Sequence, residues 1–434
     1  MGAESAGLLA GLPPGWAEPA TLLVMLASFA ALAIAARWPI GLALAVSAWA
    51  GAAVNGHLFP LRHLVEGAMS YLDPLLVIAT ALVLMRVLTD GGAFAAIGGA
   101  VERAFGSRPA LLVPAVMLLV MFPGMITGSS TASVLTTGVM AVTILTGLGL
   151  APERAAAFVA MGGVLGMVAP PINIPAMIVG AGLDLPYAGF GAPLALVSLP
   201  TALVTGYLLA APLFRRDAPQ PAPRAPQQAV GLLRALLGPA VAVTLMVLPR
   251  VAPRHVPDPG LPLAFLLAAG VAVATLPRFP VFASLLRSVE EGLPVLGILT
   301  GVGAFIQVMT LTGARGFVVS LMVAAPVGAL IAVAAVGLPL FGAVSAFGSA
   351  SVLGIPLLLA LLGRNDVVVA AGLSALASLG DLMPPAALAP SLAAQAAGVG
   401  RLAVLKRCVV PALLLVLAAV LLLSNASRVG RLLS

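Results

Sequence analysis

Two kinds of break interrupt otherwise continuous apolar sequence in this chain, and each kind occurs twice. Phe122 to Ser133 reads F-P-G-M-I-T-G-S-S-T-A-S, a proline, two glycines and a cluster of small hydroxyl residues with apolar helix formers on both sides. Lipid offers no water to free backbone N–H and C=O groups, so irregular backbone persists there only where protein or a water-filled cavity satisfies it. A hydroxyl-rich break in such a setting marks a candidate ion or ligand site. Its twin is Phe347-Gly348-Ser349-Ala350-Ser351-Val352-Leu353, in which Ala350 to Leu353 repeat Ala132 to Leu135. Each is followed by a second break built on a proline pair, Ala169-Pro170-Pro171-Ile172-Asn173 and Asp381-Leu382-Met383-Pro384-Pro385. Upstream, Leu88-Thr89-Asp90-Gly91-Gly92 is echoed by Leu311-Thr312-Gly313. Leu88 to Leu311, Ala132 to Ala350 and Pro170 to Pro384 are offsets of 223, 218 and 214 residues, so the chain is an internal duplication.

The surroundings are those of a membrane protein. Hydrophobic residues make up 61% of the 434 and charged residues 8%, and apolar runs recur from Thr21 to Leu423. A run of about 20 apolar residues crosses a bilayer, and no soluble domain has this composition. Glu4, with no basic residue ahead of the first run, argues against a cleavable leader. The single Cys408 excludes an internal disulfide.

Spans are predicted at about 21–36, 39–54, 72–88, an interrupted crossing near 155–182, and 188–209. A loop carrying His57, Arg62, His63 and Glu66 precedes the third, and 90–105 reads as an interfacial arm. The run from Pro109 to Val120 is too short to cross comfortably before Pro123-Gly124, so 109–149 is expected to form a re-entrant hairpin. Residues 1–212 are the first repeat and 213–229 a hydrophilic, proline-rich linker. Residues 230–434 are the second repeat, with spans near 230–248, 261–276 and 293–311, an amphipathic piece at 279–291, and an arm at 312–325. A hairpin near 326–362, an interrupted helix near 367–399 and a last span at 404–423 complete it. Five crossings per half is odd, so the halves lie in opposite orientations, the inverted-repeat plan of secondary carriers. With the amino terminus outside, fourteen of the 21 basic residues face inward and seven outward, the bias expected of cytoplasmic loops.

The hydroxyl-rich G-S-S, the turn at Gly147-Leu148, the glycine-rich run into Pro170-Pro171 and the second pair Pro384-Pro385 resemble the large membrane subunit of tripartite ATP-independent periplasmic (TRAP) transporters. The likeness extends from about Leu72 to Val399. It departs from the family pattern at Leu148, where a tyrosine is usual, at Ile172-Asn173 after the first proline pair, and at Gly348 to Ser351, where an acid is usual. The resemblance implies an all-helical elevator-type secondary transporter in a bacterial inner membrane, importing an organic acid such as a C4-dicarboxylate by sodium symport. It also implies two partners, a small membrane subunit and a periplasmic substrate-binding protein. No cofactor is expected beyond sodium as coupling ion.

Sodium takes oxygen ligands, which hydroxyls and unwound carbonyls supply without a buried charge. Gly128, Ser129, Ser130, Thr131 and Ser133, with the backbone at Pro170-Pro171, form one candidate cage. Gly348, Ser349 and Ser351, with the backbone at Asp381 to Pro385, form the second, and Ser130, Thr131, Ser349 and Ser351 are the candidate metal ligands. Asn173 is a candidate polar contact for a substrate carboxylate held between the tips by half-helix dipoles. Asp381 is a carboxylate beside a membrane break, which points to a cation ligand or proton-coupling group; a helix cap is the structural alternative. Asp90 and Arg86 read as a surface pair. The three histidines fall in predicted loops and no hydrolase or nucleotide-binding motif is present, so an enzyme is not expected. The rival transport readings are a channel and a stand-alone carboxylate carrier of the same superfamily, coupled to sodium or protons.

Overall fold

A computed structural model describes residues 13, 15–187, 189–214, 230–252 and 254–433. Most of the amino-terminal lead, Ala188 at the start of the fifth predicted crossing, and the linker at 215–229 lie outside the described residues. The first half runs α1 (Ala17–Ala30), α2 (Ile40–Val54), α3 (Leu61–Met69), α4 (Leu72–Asp90), α5 (Ala93–Phe105), α6 (Pro109–Thr127), α7 (Ser130–Ser133), α8 (Val139–Gly147), α9 (Pro152–Val168), α10 (Ile174–Ala181) and α11 (Gly191–Ala210). The second runs α12 (Leu232–Val251), α13 (Gly260–Thr275), α14 (Val281–Leu311), α15 (Ala314–Val323), α16 (Val327–Gly342), α17 (Ala346–Ser349), α18 (Ile355–Ala360), α19 (Asp366–Ser378), α20 (Leu388–Ala397), α21 (Arg401–Ser424) and α22 (Ala426–Leu433). Among the described residues there is no strand, and eight helices are long and apolar enough to cross a membrane.

The core is built on the two interrupted helices. Every residue of α9 from Ala155 to Val168 is buried, as is every residue of α19 from Val368 to Ser378. A helix that is apolar all round belongs inside, and the small residues of both let neighbours approach closely. The upstream limb of each packs on the downstream limb of the other, α9 on α20 and α19 on α10, so the two segments run antiparallel. The hairpins flank them, with α7 against α9 and α20, and α17 against α19 and α10.

Glycines set the hairpin seams at equivalent places. A Cβ on Gly124 would lie 3.0 Å from the Gly166 carbonyl carbon, and one on Gly380 would lie 2.4 Å from that of Gly342. Gly124 to Gly342 is the 218-residue offset and Gly166 to Gly380 the 214-residue offset, so both contacts belong to the duplicated plan. Arginines repeat it at the helix ends: Arg154 donates to the Leu209 carbonyl at 3.2 Å and Arg364 to that of Leu423 at 3.4 Å. Each supplies a donor to a carbonyl in the last turn of its helix.

The other elements form a second group, in which α14 lies along α2, α3 and α4, and α13 bridges α4 and α12. The α2–α14 seam is backbone against backbone. A Cβ on Gly301 would sit 2.2 Å from the Gly41 oxygen, and one on Gly303 2.0 Å from the Gly67 oxygen. Arg86 binds Asp90 through two nitrogens at 3.0 Å and reaches Glu291 at 2.7 Å. Ser284 adds a bond to Asp90 at 2.6 Å. The predicted surface pair is thus a half-buried network tying α4 to α14.

The elements differ from the sequence reading in four places. The loop holding Arg62 and Glu66 contains α3, an amphipathic helix of about two and a half turns with an exposed Arg62–Glu66 pair at 2.7 Å. The helix does not stop at Pro123-Gly124 but runs to Thr127, and α16 likewise runs through Pro339. Proline removes one backbone donor, and neighbouring side chains and packing compensate in membrane helices. The amphipathic piece at 279–291 and the span at 293–311 are one 31-residue helix, α14, with Pro294 inside it. The short amphipathic α22 follows the last span.

Gly301→Ala is expected to force α2 from α14 and destabilise the chain by about 1–3 kcal/mol, the usual penalty of overpacking. Gly270→Ala, where an added Cβ meets nothing within 4 Å, is the matched control. Thermal unfolding of the two variants in one detergent reads the difference, and equal midpoints would remove the seam from the account.

Candidate functional site

The first tip forms where α6 ends. Gly128 turns the chain with φ 65°, a left-handed value that glycine adopts without strain, and its N–H returns to the Gly124 carbonyl at 2.7 Å. Extended Ser129 then caps the second limb, its hydroxyl accepting from the Ala132 N–H at 3.3 Å. The second tip uses the same device one residue type away, with the Ser345 hydroxyl accepting from the Gly348 N–H at 3.1 Å. Directly after both tips the limb widens into a π turn, Val134–Gly138 and Ala350–Gly354. Single π turns inside α-helices occur often at functional sites.

The first interrupted helix ends at Val168. Its proline pair, Pro170-Pro171, has a cis peptide bond, as has Pro384-Pro385 in the second. Neither first-break proline has an N–H, and the next two donors are both satisfied from elsewhere in the fold. Ile172 donates to the Met125 carbonyl at 3.0 Å, and Asn173 donates to the phenol oxygen of Tyr187 at 2.8 Å. The Asn173 carboxamide caps α10 through the Ala176 N–H at 2.8 Å. Its amide group donates to the Val168 carbonyl at 3.0 Å and to the Ser374 hydroxyl at 3.2 Å. Asn173 is fully buried, so one side chain closes its own break and ties it to α19. The substrate-contact reading therefore stands beside a structural role that accounts for all of the carboxamide's bonds in this structure.

The second break is satisfied differently. Met383 donates to Gly380 and Ala387 to Met383, both at 2.9 Å, so this segment closes on its own backbone. Ala387 holds φ 40°, a left-handed conformation that is uncommon outside glycine. It precedes α20 with no side-chain cap, whereas Asn173 caps α10. Pro384 and Pro385 are exposed.

Ser130 and Asp381 meet across the pseudo-symmetry: the buried Ser130 hydroxyl donates to the Asp381 carboxylate, joining the first tip to the second break. Sequence reasoning had grouped Asp381 with Ser349 and Ser351. By the repeat offsets the counterparts of Ser130 and Asp381 are Gly348 and Met167, which share no polar bond. The duplication therefore carries this link once.

Three residues on from Ser130, Ser133 is fully buried and its hydroxyl oxygen has no hydrogen-bond partner. It lies at the hairpin seam, where a Cβ added to Gly124 would stand 2.6 Å from it. Thr131 is half-buried. In the second cluster, buried Ser349 and Ser351 donate to the Leu338 and Gly348 carbonyls at 2.6 and 2.9 Å. A hydroxyl that has given up its hydrogen this way still presents oxygen lone pairs to a cation. Tyr187, Ser345 and Ser374 were not singled out from the sequence. Ser345 alone left a local signal there, a small hydroxyl residue just ahead of a helix.

A comparison with curated protein sequences finds no match. Among solved structures, the YdaH transporter of Alcanivorax borkumensis is similar at TM-score 0.59 and 17% identity, covering 85% of this chain and 88% of that one. MtrF of Neisseria gonorrhoeae, described with a class of antimetabolite efflux pumps, is similar at TM-score 0.58 and 16% identity, covering 86% of this chain and 84% of that one. At these identities the likeness is one of fold. Residues 23–427 match the family described as "Tripartite ATP-independent periplasmic transporter, DctM component". The chain belongs to that family, the large membrane component of a secondary transporter that works with a small membrane component and a periplasmic binding component.

Proposed function

We propose that the chain imports an organic acid anion, of C4-dicarboxylate or similar type, across a bacterial inner membrane by sodium symport and an elevator movement. The observation that carries this reading is the Ser130–Asp381 contact, a hydroxyl and a carboxylate brought together from the two halves of a duplicated fold and present in only one of its two copies. Intramembrane acids are rare, and they mark ion and proton pathways. On this reading Asp381 and Ser130 are sodium ligands, with the unpartnered Ser133 oxygen adjoining them. Ser349 and Ser351 serve a second ion. Carbonyls at unwound helix ends complete both shells, as in other carriers built from discontinuous helices.

The substrate carboxylate belongs at the start of α20, whose first N–H groups lack a side-chain cap and whose dipole favours an anion. The repeats 1–212 and 230–434 act as units with re-entrant hairpins. The hairpins, interrupted helices, α11 and α21 form the moving body. It slides against α1 to α4 and α12 to α14, to which it is joined by lighter packing and by the arms α5 and α15.

Sodium titration of uptake into proteoliposomes tests the ion sites. Ser130→Ala is expected to raise the half-saturating sodium concentration about tenfold, the loss of one bond to a charged group. Ser351→Ala is expected to do the same at the second site, and Asp381→Asn to remove sodium activation. Unchanged sodium curves in all three would sink the assignment.

Uptake of a panel of labelled organic acids, with and without an inward sodium gradient, tests the substrate and the assembly. Sodium-driven uptake is expected only when the small membrane subunit and binding protein are added. Uptake by this chain alone would make it a stand-alone carrier.

A further inference from the structure

Between the two helix groups lies a cavity of about 490 Å³ that none of the proposed ion ligands lines. Its walls come from the α3–α4 corner, from α14, from α10 with the loop that follows it, and from the arm α15. Three charges line it: Arg315 on the arm, Asp73 at the start of α4, and Asp184 beyond α10. Among the described residues no ion pair joins any two of them. Arg315 is half-buried, and its recorded partner is the Gly182 carbonyl at 2.8 Å. Asp73 and Asp184 are exposed. Gln307 and Tyr187 add neutral donors to the wall. Tyr187 has its ring stacked on Phe190 at 5.2 Å and its oxygen on the Asn173 N–H of the first break.

Opposite charges that share a cavity without pairing leave room for a ligand that pairs with both. The guanidinium offers forked donors to a carboxylate, and the exposed acids offer acceptors to a cation. A dianion would bring its second charge toward Asp73 and Asp184, and like charges there disfavour it. We propose that this cavity is a binding site for a small zwitterion, its carboxylate on Arg315 and its ammonium toward Asp73 and Asp184. The proposal rests on the carrier reading for its purpose and departs from it in substrate class, favouring amino acids and similar zwitterions over dicarboxylates. The volume suits small metabolites, since ligand pockets commonly enclose about 300–1,000 Å³.

Isothermal titration of the purified full chain in lipid nanodiscs tests this without an ion gradient. The probes are ω-amino acids from glycine to 6-aminohexanoate, each with the monoacid, diacid and diamine of matched length. At the best-fitting length the amino acid is expected to bind at least about tenfold more tightly than its three partners. Arg315→Ala should weaken it about tenfold or more, with Arg315→Lys intermediate. Joint Asp73→Asn and Asp184→Asn, at exposed positions that leave the fold intact, should bring the amino acid down to the affinity of the monoacid. A diacid that binds more tightly than its amino acid, an order unmoved by the paired asparagines, or no binding by any probe would overturn the proposal. Because nothing here depends on coupling, a chain that binds as described but shows no sodium-driven uptake even with both partners present would refute the sodium-symport reading and leave this site standing.

Discussion

Everything in this structure that is not plain helix is governed by one requirement, that a backbone N–H or C=O removed from water must find a partner. The duplicated fold opens four gaps in its helices and then supplies those partners. Ser129 and Ser345 do it locally by capping, and Asn173 does it for the first break with one fully buried carboxamide. The Met125 carbonyl and the Tyr187 phenol do it from a distance. Because the first break is closed by groups from α6, α19 and the α10–α11 loop, its geometry depends on where those elements sit. The second break closes largely on itself.

That difference matters for how a symmetrical plan yields a directional machine. Glycine seams and arginine caps recur at the repeat offsets, so they belong to the common ancestor of the two halves. The acid does not recur: methionine stands at the position equivalent to Asp381, and glycine at that equivalent to Ser130. Packing is shared between the halves, and the charge-bearing chemistry is held by one pairing of them. Mutations in the shared seams act first on stability; under the proposed function, changes at the unshared pair act on ion coupling.

Much of this was legible because apolar runs, proline pairs and glycine-serine clusters are local signals. The apolar spans, the all-helical class and the breaks at the two proline pairs followed from them. What could not be read was whatever depends on a partner far away in the chain. Ser130 and Asp381 are separated by 251 residues, and nothing near either one reports the other. Asn173 to Ser374 and Asn173 to Tyr187 are of the same kind. Proline misled at Pro123 because it removes only one donor from a helix, a loss that a tightly packed membrane interior tolerates. The two pieces of α14 were divided at Glu291 and Pro294 on polarity alone, while Arg86 of α4 makes that acid part of a packed interface.

The length of α14 carries one more implication. At about 1.5 Å per residue its 31 residues make a rod roughly 46 Å long, against a hydrocarbon layer of about 30 Å. The portion after Pro294 matches that layer, and the exposed charges at Arg287, Glu290 and Glu291 keep the earlier turns among the headgroups. The rod is pinned to α2 and α3 by backbone contacts that no side-chain repacking can relax. It therefore acts as a depth gauge: the helices fastened to it are held at one level of the membrane, and on the proposed elevator reading that level is the reference for the other group's motion.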